Sequence, residues 1–483
     1  MQDAVSSFYH HLQAVASQYN ISAIALPVEA VQHALWIPTL PFEAMEKWNT
    51  IRVNLVVITD RRPHSLSRLL QSTSRAQYLG DTVGLVINME QSADRVTRMM
   101  VNSFGWRQGE KTVRHRILKG GLMPAIIESW YPQHDNDYAI LLEDDIEVSP
   151  LFYVWTKYNI LRYRYTNHPD AWRMFGISLY SPRNLELLPE GRRPFNPNSV
   201  IRPQFPTHTP YLSQVPCSWG AVYFPEHWRE FHEYLTSRLE DMKEDGIGRL
   251  NITVPNSRSE RWKKSWKKFI IQLVYLRGYV MLYPNFQQFE SFSTNHLEFG
   301  THIKKGRTKA ALDGFTVPLM QRDTILSQLP SGELPNMDAL PTLNLWGQRH
   351  TLQELEEIAI AWHPQVSACA RTTERFNPQD LLCPFPGKSR KRKSPKKSSK
   401  PSKEVSVVQS IVIETVYVDP SNETTGPEVN GGADAETDEE TEVWVPEPID
   451  VAQLQTEEME HALEDDQLHD LEADLAQLNS LQM

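Results

Sequence analysis

Cysteine is scarce: Cys217, Cys369 and Cys383 are the only three in a chain of 483 residues. So few exclude a fold built on a disulfide framework and permit at most one bridge. Cys369 and Cys383 are the only close pair, and ordinary buried or free thiols are the favoured reading of all three. Long apolar runs are missing too. No stretch reaches the length of about 18 apolar residues that a membrane span needs, so none is expected. Met1 to Asn20 lack a basic-then-apolar secretion signal. Three sequons, Asn20-Ile-Ser, Asn251-Ile-Thr and Asn422-Glu-Thr, are triplets that chance supplies in a chain this long, and they do not fix the compartment. A basic body is absent as well. The net charge is −11, but residues 388–483 alone hold 9 basic and 22 acidic residues, against 40 and 38 in the remainder. A near-neutral body has no electrostatic footprint for nucleic acid, so none is expected as a partner.

What is present is an alternation of short apolar runs and helical patterns. Residues 1–50 read as a helical lead-in, with Phe8, Leu12, Val15 and Ala16 at helical spacing. From Arg52 the β-branched run Val53–Ile58 predicts a buried strand. Thr82–Ile87 and Tyr138–Leu142 predict two more, with helices around Leu66–Leu70, Arg95–Val101 and Ala125–Trp130 between them. Strands alternating with helices imply a sheet of parallel strands covered on both faces. Ligands of such sheets sit beyond the carboxyl ends of the strands. The polar clusters after the three runs, Thr59-Asp60-Arg61, Asn88-Met89-Glu90 and Glu143-Asp144-Asp145, should then converge on one crevice.

Further on, Met174–Ser178, Trp219–Phe224 and Tyr279–Tyr283 read as strands, and Pro225 opens an aromatic-rich helix. The boundaries expected are a domain over 51–305, divided at about residue 150 into a nucleotide half and an acceptor half. An extension over 306–387 should pack on it, with a helix at Leu352–Ala361. The Lys/Arg/Ser/Pro run Lys388–Lys403 and the acidic run Asp434–Glu442 have compositions typical of disorder. Residues 388–483 are therefore expected to form a disordered tail. Two exceptions lie within it: Val405–Val418, apolar enough for a strand, and a terminal helix with Leu468, Leu471, Leu475 and Leu478 on one face, suited to a protein partner.

Three consecutive carboxylates directly after a buried strand are the strongest chemical signal. At the end of a low-dielectric sheet their mutual repulsion raises their pKa values unless a cation joins them. Oxygen-rich sites of this kind suit Mg²⁺ or Mn²⁺, held by one or two carboxylates together with substrate phosphates. The bland alternative is an acidic loop facing solvent, and the place of the trio as the end of the third strand argues against it.

The run Tyr138-Ala-Ile-Leu-Leu-Glu-Asp-Asp-Ile-Glu-Val-Ser-Pro150, followed by Phe152, resembles the metal-binding region of GT-A glycosyltransferases. It is most similar to the N-acetylglucosaminyltransferase that begins complex N-glycans, and it also looks like the family-2-like GT-A proteins. Val56–Arg61, Val215–Gly220 and Tyr279–Asn285 follow the same order, so the likeness spans about Arg52 to His302. The resemblance implies an α/β fold of GT-A type, a Rossmann-like mixed sheet flanked by helices. It implies transfer of a sugar from a nucleoside diphosphate sugar, UDP first, to a hydroxyl of a glycan, protein or lipid, with inversion and with Mn²⁺ or Mg²⁺. Asp145 is then the direct metal ligand, and Glu143 and Asp144 contact donor hydroxyls. Thr59, Asp60 and Arg61 border the nucleotide, with Glu90 near the base or ribose. Some relatives place a metal or phosphate ligand after the last strand, which makes His296 and His302 candidates. Trp219 and Gly220 stand beside the acceptor. Where the family carries a His, this chain has Gly120-Gly121, whose backbone would approach the donor. Its acid pair is reduced to Ser259-Glu260-Arg261, so Glu260 is the expected base, with Glu226 second. The resemblance implies the Golgi or another secretory compartment; the missing signal and anchor leave the cytosol open.

Two rival classes remain. A binding protein that kept the scaffold and lost turnover is favoured by the missing His and acid pair, and opposed by the intact acidic trio. A nucleotidyltransferase shares strand-end acids, but its first loop is usually Gly-rich, and here that loop, Asp60-Arg-Arg-Pro-His-Ser-Leu-Ser67, has no glycine.

Overall fold

Short β-branched runs build the centre of the molecule. A computed structural model describes residues 7–19, 21–243, 248–263, 265–296, 315–321, 325–386 and 411–416. The strands are β1 (Arg52–Thr59), β2 (Gly84–Met89), β3 (Lys111–Arg116), β4 (Asp137–Glu143), β5 (Ile146–Val148), β6 (Met174–Ser178), β7 (Asn184–Leu185), β8 (Arg193–Pro194), β9 (Tyr211–Ser213), β10 (Ala221–Tyr223), β11 (Val280–Tyr283), β12 (Ser293–Asn295), β13 (Thr342–Leu343), β14 (Arg349–His350) and β15 (Ile411–Val416). Eleven of them form one sheet in the order β14-β13-β9-β11-β6-β10-β4-β1-β2-β3-β15.

The first strands of the sheet are parallel: β1 pairs with β2 and β4, and β2 with β3. β10 then runs antiparallel between β4 and β6. The chain therefore adopts the expected mixed α/β sheet. β4 is buried on both faces along Asp137–Leu142, which is why its sequence reads as a continuous apolar run. β3 escapes such a reading, because Lys111-Thr-Val-Arg-His-Arg116 is mostly polar; only Val113 and the Lys111 stem lie deep. The strand expected within Val405–Val418 is found at Ile411–Val416, antiparallel to β3. The other expectations for the tail, including its disorder and terminal helix, lie outside the described residues.

The helices are α1 (Ser7–Gln18), α2 (Phe42–Glu46), α3 (Pro63–Ser74), α4 (Arg95–Ser103), α5 (Leu122–Ile127), α6 (Phe152–Arg164), α7 (Pro197–Ile201), α8 (Pro225–Lys243), α9 (Trp266–Arg277) and α10 (Leu352–Val366). Asp94 caps α4 by accepting from Thr97 N at 2.8 Å, and Thr351 with Glu354 forms a capping box on α10. No described helix is long and apolar enough to cross a membrane. The lead-in packs through its aromatics. Trp36 stacks on Tyr158 of α6 at 4.5 Å and on Trp48 at 5.6 Å. The ammonium of Lys157, paired with Asp81, lies 3.8 Å from the Trp48 ring centroid.

The extension is fixed by a buried charge network. Arg277, at the end of α9, gives Nε to Glu230 Oε1 at 2.8 Å and its two terminal nitrogens to Asp380 at 2.7 and 3.0 Å. Tyr279 donates to Glu230, and His363 of α10 contacts Asp380. The same turn corrects the reading of the cysteines. Ala368 N donates to the Cys383 carbonyl at 3.0 Å, which brings the flanking Cys369 to a Cα separation of 5.6 Å, and Cys369–Cys383 is a disulfide. Proximity made by the Asp380 turn, not spacing in sequence, decides the bridge. Cys217 is a buried free thiol.

Removing one member of a buried, hydrogen-bonded ion cluster leaves the others uncompensated. Arg277→Met should therefore lower unfolding free energy by about 3–5 kcal/mol, measured by urea denaturation. A loss below about 1 kcal/mol would mean that water reaches Glu230 and Asp380 and that the network is not what holds the extension.

Candidate active site

Register brings the three polar strand ends together. Ile58 of β1 pairs with Glu143 of β4, and Thr59 with Met89 of β2. Glu90 N then donates to the Thr59 carbonyl at 2.9 Å. The acids following β4 lie at this edge, and the first loop reaches over them. Thr59 Oγ1 donates to Asp144 Oδ2 at 2.9 Å, and Arg62 Nη1 donates to Asp144 Oδ1 at 3.0 Å. The same nitrogen is 3.7 Å from Asp145 Oδ2. Arg62 sits at the N-cap of α3, and the following Pro63 keeps it out of the helical region (φ −130°, ψ 67°).

Arg62 is the residue that sequence reasoning missed. Arg61 points away, half exposed, 3.5 Å from its neighbour Asp60. Asp60 also accepts from Ser92 Oγ at 2.9 Å. The signal that could have chosen Arg62 is the proline after it, which both starts α3 and fixes the backbone of the preceding residue.

The trio carries more negative charge than its surroundings neutralise. Burial raises Glu143 first and the charges of Asp145 and Asp144 raise it further, while Arg62 and Lys267 oppose; the carboxyl is pushed up to about 8 from the usual 4.5. Burial also raises Asp145, against the pull of Arg62 and with Asp144 adding to the rise, to about 6. β12 closes this side by pairing antiparallel with β5, Asn295 opposite Ile146. His296 N donates to the Asp145 carbonyl at 2.9 Å, and its ring lies 2.6 Å from Glu147. The Asn295 side chain tempers the rise at Asp145. Even so, Asp145 Oδ1 and Asn295 Oδ1 are buried without a hydrogen-bond partner.

On the opposite flank three expected donor residues do meet. Glu90 Oε1 accepts from Gly120 N at 3.2 Å and Oε2 from Gly121 N at 2.9 Å. Gly121 has a φ of +75°, a conformation that suits glycine.

Across β10 the edge opens into an aromatic cleft. Tyr180, Phe195, Tyr211, Trp219 and Phe315 form its apolar walls, and the cavity between them measures about 50 Å³. Trp219 meets Tyr180 and Phe315 edge-on at 4.9 and 5.2 Å. Gly220 (φ +87°) allows the turn, and a Cβ there would approach Ser293 Oγ to 2.9 Å. Ser293 in turn donates to the Trp219 carbonyl at 2.6 Å, so the Trp219-Gly220 loop is tied to β12 beside the acids. Lys267 of α9 lines the cleft, pairs with Glu186, and acts by its charge on Glu143.

The two acids expected as base are not brought here. Glu226 opens α8, directly after β10, and Tyr223 of β10 pairs with Ala139 near the start of β4. The seven residues of β4 separate that edge from Glu143 by roughly 20 Å. Glu226 instead forms a close ion pair with Arg164. Glu260 takes Val254 N at 3.0 Å and Gln272 Nε2 at 3.1 Å, with Lys268 Nζ at 3.4 Å. That role joins the 250s loop to α9, and Glu260 is not among the cleft walls. His302 lies outside the described residues.

Residues 61–180 and 196–244 match the protein-family model described as SPBC1E8.03c C-terminal domain, which is less than half of the chain. No curated protein matches it. Among solved structures the chain is similar to S. aureus TarS. With TarS 1-349 it shares 11% identity over 49% of this chain and 58% of that one, at a TM-score of 0.26. With the same segment in complex with UDP-GlcNAc the values are 9%, 53%, 62% and 0.30. With the TarS chain they are 12%, 48%, 35% and 0.28. In each case less than two thirds of the TarS chain is covered.

The raised carboxyl of Glu143 has a stability consequence. Its folded value exceeds its unfolded one, so its contribution is full below about pH 4.5 and is lost as pH rises through about 8. Glu143→Gln is neutral throughout and removes this slope. In metal-free buffer the variant should gain on the parent chain steadily across that window, read as the difference in Tm. Parallel pH profiles would show that Glu143 is ionised in the folded chain without cost.

Proposed function

We propose that the chain is a glycosyltransferase that moves a sugar from a nucleoside diphosphate sugar, with UDP as the nucleotide, to a hydroxyl acceptor, with inversion and with a bound divalent metal. The observation that carries this reading is the acidic trio at the carboxyl edge of a parallel strand set, with an aromatic cleft across β10 whose Lys267 acts on Glu143. The nucleotide would border Thr59, Glu90 and the Gly120-Gly121 backbone. A sugar ring would find a stacking face on Trp219. The resemblance of Tyr138–Pro150 to the metal-binding run of GT-A enzymes supports the same assignment.

The residues present fit Mn²⁺ or Mg²⁺. Asp145 Oδ1 and Asn295 Oδ1 are buried oxygens without partners, and the pKa values of Glu143 and Asp145 are raised by burial, with the charge of Asp144 adding to both. Among the described residues no three His, Cys, Asp or Glu side chains are grouped to hold a metal by themselves. A site with few protein ligands suits a cation that shares its shell with substrate phosphates and water. Asp145 would hold it, and once bound it would stabilise charge on the departing diphosphate. Arg62 and Thr59 bind the two oxygens of Asp144 and orient it, while Asp145 Oδ1 keeps a vacant lone pair.

A binding protein without turnover is the second reading, favoured by the placement of Glu226 and Glu260 away from the cleft. A panel of nucleotide sugars, screened for metal-dependent binding and then for release of the nucleotide, separates the two. Asp145→Ala should abolish Mn²⁺-dependent UDP binding, measured by calorimetry, while the circular dichroism spectrum is unchanged. Equal UDP affinity with and without metal, in both proteins, would sink the metal assignment.

A further inference from the structure

We propose that Glu186 is the general base of the transfer, the group that takes the proton from the acceptor hydroxyl; the proposal rests on the glycosyltransferase reading above. A base must stand on the acceptor side, across the anomeric carbon from the diphosphate. The acidic trio occupies the donor side. Among the residues that wall the aromatic cleft, Glu186 is the one carboxylate. Its side chain is 17% exposed, open enough to meet a substrate and enclosed enough to be held in place.

Two features position it. Glu186 follows β7, which pairs with β8 in a small hairpin at the lip of the cleft, Leu185 opposite Arg193. Lys267 of α9 binds the Glu186 carboxylate from the inner wall. That ammonium is also 6.0 Å from the Trp219 ring centroid and acts on Glu143. It thus holds the Glu186 carboxylate within reach of the charge of Glu143. A sugar over Trp219 would lie beside Lys267 and the carboxylate that it holds.

The step balances without further reactants. The acceptor oxygen forms a bond to the anomeric carbon and its proton passes to Glu186. The bond from that carbon to the diphosphate oxygen breaks, and its electron pair leaves with the nucleoside diphosphate. With water as acceptor the products are the free sugar and the nucleoside diphosphate.

The test uses the full chain with Mn²⁺, water as acceptor, and UDP-N-acetylglucosamine, UDP-glucose, UDP-galactose and GDP-mannose as donors. For Glu186→Gln, kcat for nucleotide release should fall about 10²-fold or more, with donor KM and UDP affinity within about twofold of the parent. Glu186→Asp, which keeps the carboxylate but draws it back, should fall between the two and guards against a folding defect in the Gln variant. Near-parent kcat in Glu186→Gln would overturn the proposal, as would loss of turnover in Glu260→Gln alone. A rise in KM with kcat unchanged would also overturn it, making Glu186 a binding residue. A parent chain that neither binds nor cleaves any of the four donors would instead remove the reading beneath it.

Discussion

Everything at the crevice follows from one electrostatic constraint: three carboxylates are delivered together at the end of a strand that is buried on both faces. Asp144 is the member that the fold satisfies, with a hydroxyl from the end of β1 and a guanidinium from the start of α3. Glu143 and Asp145 are left with raised pKa values and a buried oxygen without a partner. A protein selected for stability alone would replace one of these acids by a neutral residue, since unpaired buried charge is costly. Their retention is understandable where a ligand supplies the missing positive charge, and the site is then strained until that ligand arrives.

α9 links this site to the rest of the molecule. Its first turn carries Lys267 into the cleft, and its last residue, Arg277, enters the buried cluster with Glu230 and Asp380. Ten residues separate the two, about 15 Å along a helix. The extension that contains Asp380 is thus braced against the same rod that presents Lys267. The Cys369–Cys383 bridge closes the turn around Asp380 and keeps that brace short.

Much of the donor side was legible in the chain. Val53–Ile58 and Tyr138–Leu142 are apolar because they are covered on both faces, Thr82–Ile87 buries one face and half-buries the other, and Glu143–Asp145 follow the third of these runs. The contact of Glu90 with the Gly120 and Gly121 amides joins two of the residues singled out in the sequence. What was illegible depended on direction or on long-range closure. Arg61 and Arg62 are equivalent as letters, and only the backbone imposed by Pro63 distinguishes them. Glu226 follows an antiparallel strand and so emerges at the opposite edge, which cannot be known before the direction of β10 is. Glu260 is drawn into satisfying Gln272 and the Val254 amide. Glu186 had no signal at all, because a hairpin of two-residue strands carries no periodicity. The disulfide was missed because its proximity is made by a turn around a buried Asp.

The antiparallel direction of β10 has a further result. β6 ends at Ser178 on the crevice edge and β10 begins at Ala221 on that same edge. The excursion between them, residues 179–220, leaves that edge, contributes β9 to the sheet between β11 and β13, and returns to the same edge. It supplies Tyr180, Glu186, Phe195, Tyr211 and Trp219 to the cleft. One stretch between two neighbouring strands thus carries most of the aromatic wall, while Lys267 and Phe315 close it from elsewhere in the chain. The shape of the cleft can therefore change with this stretch while the acids at the end of β4 stay where they are.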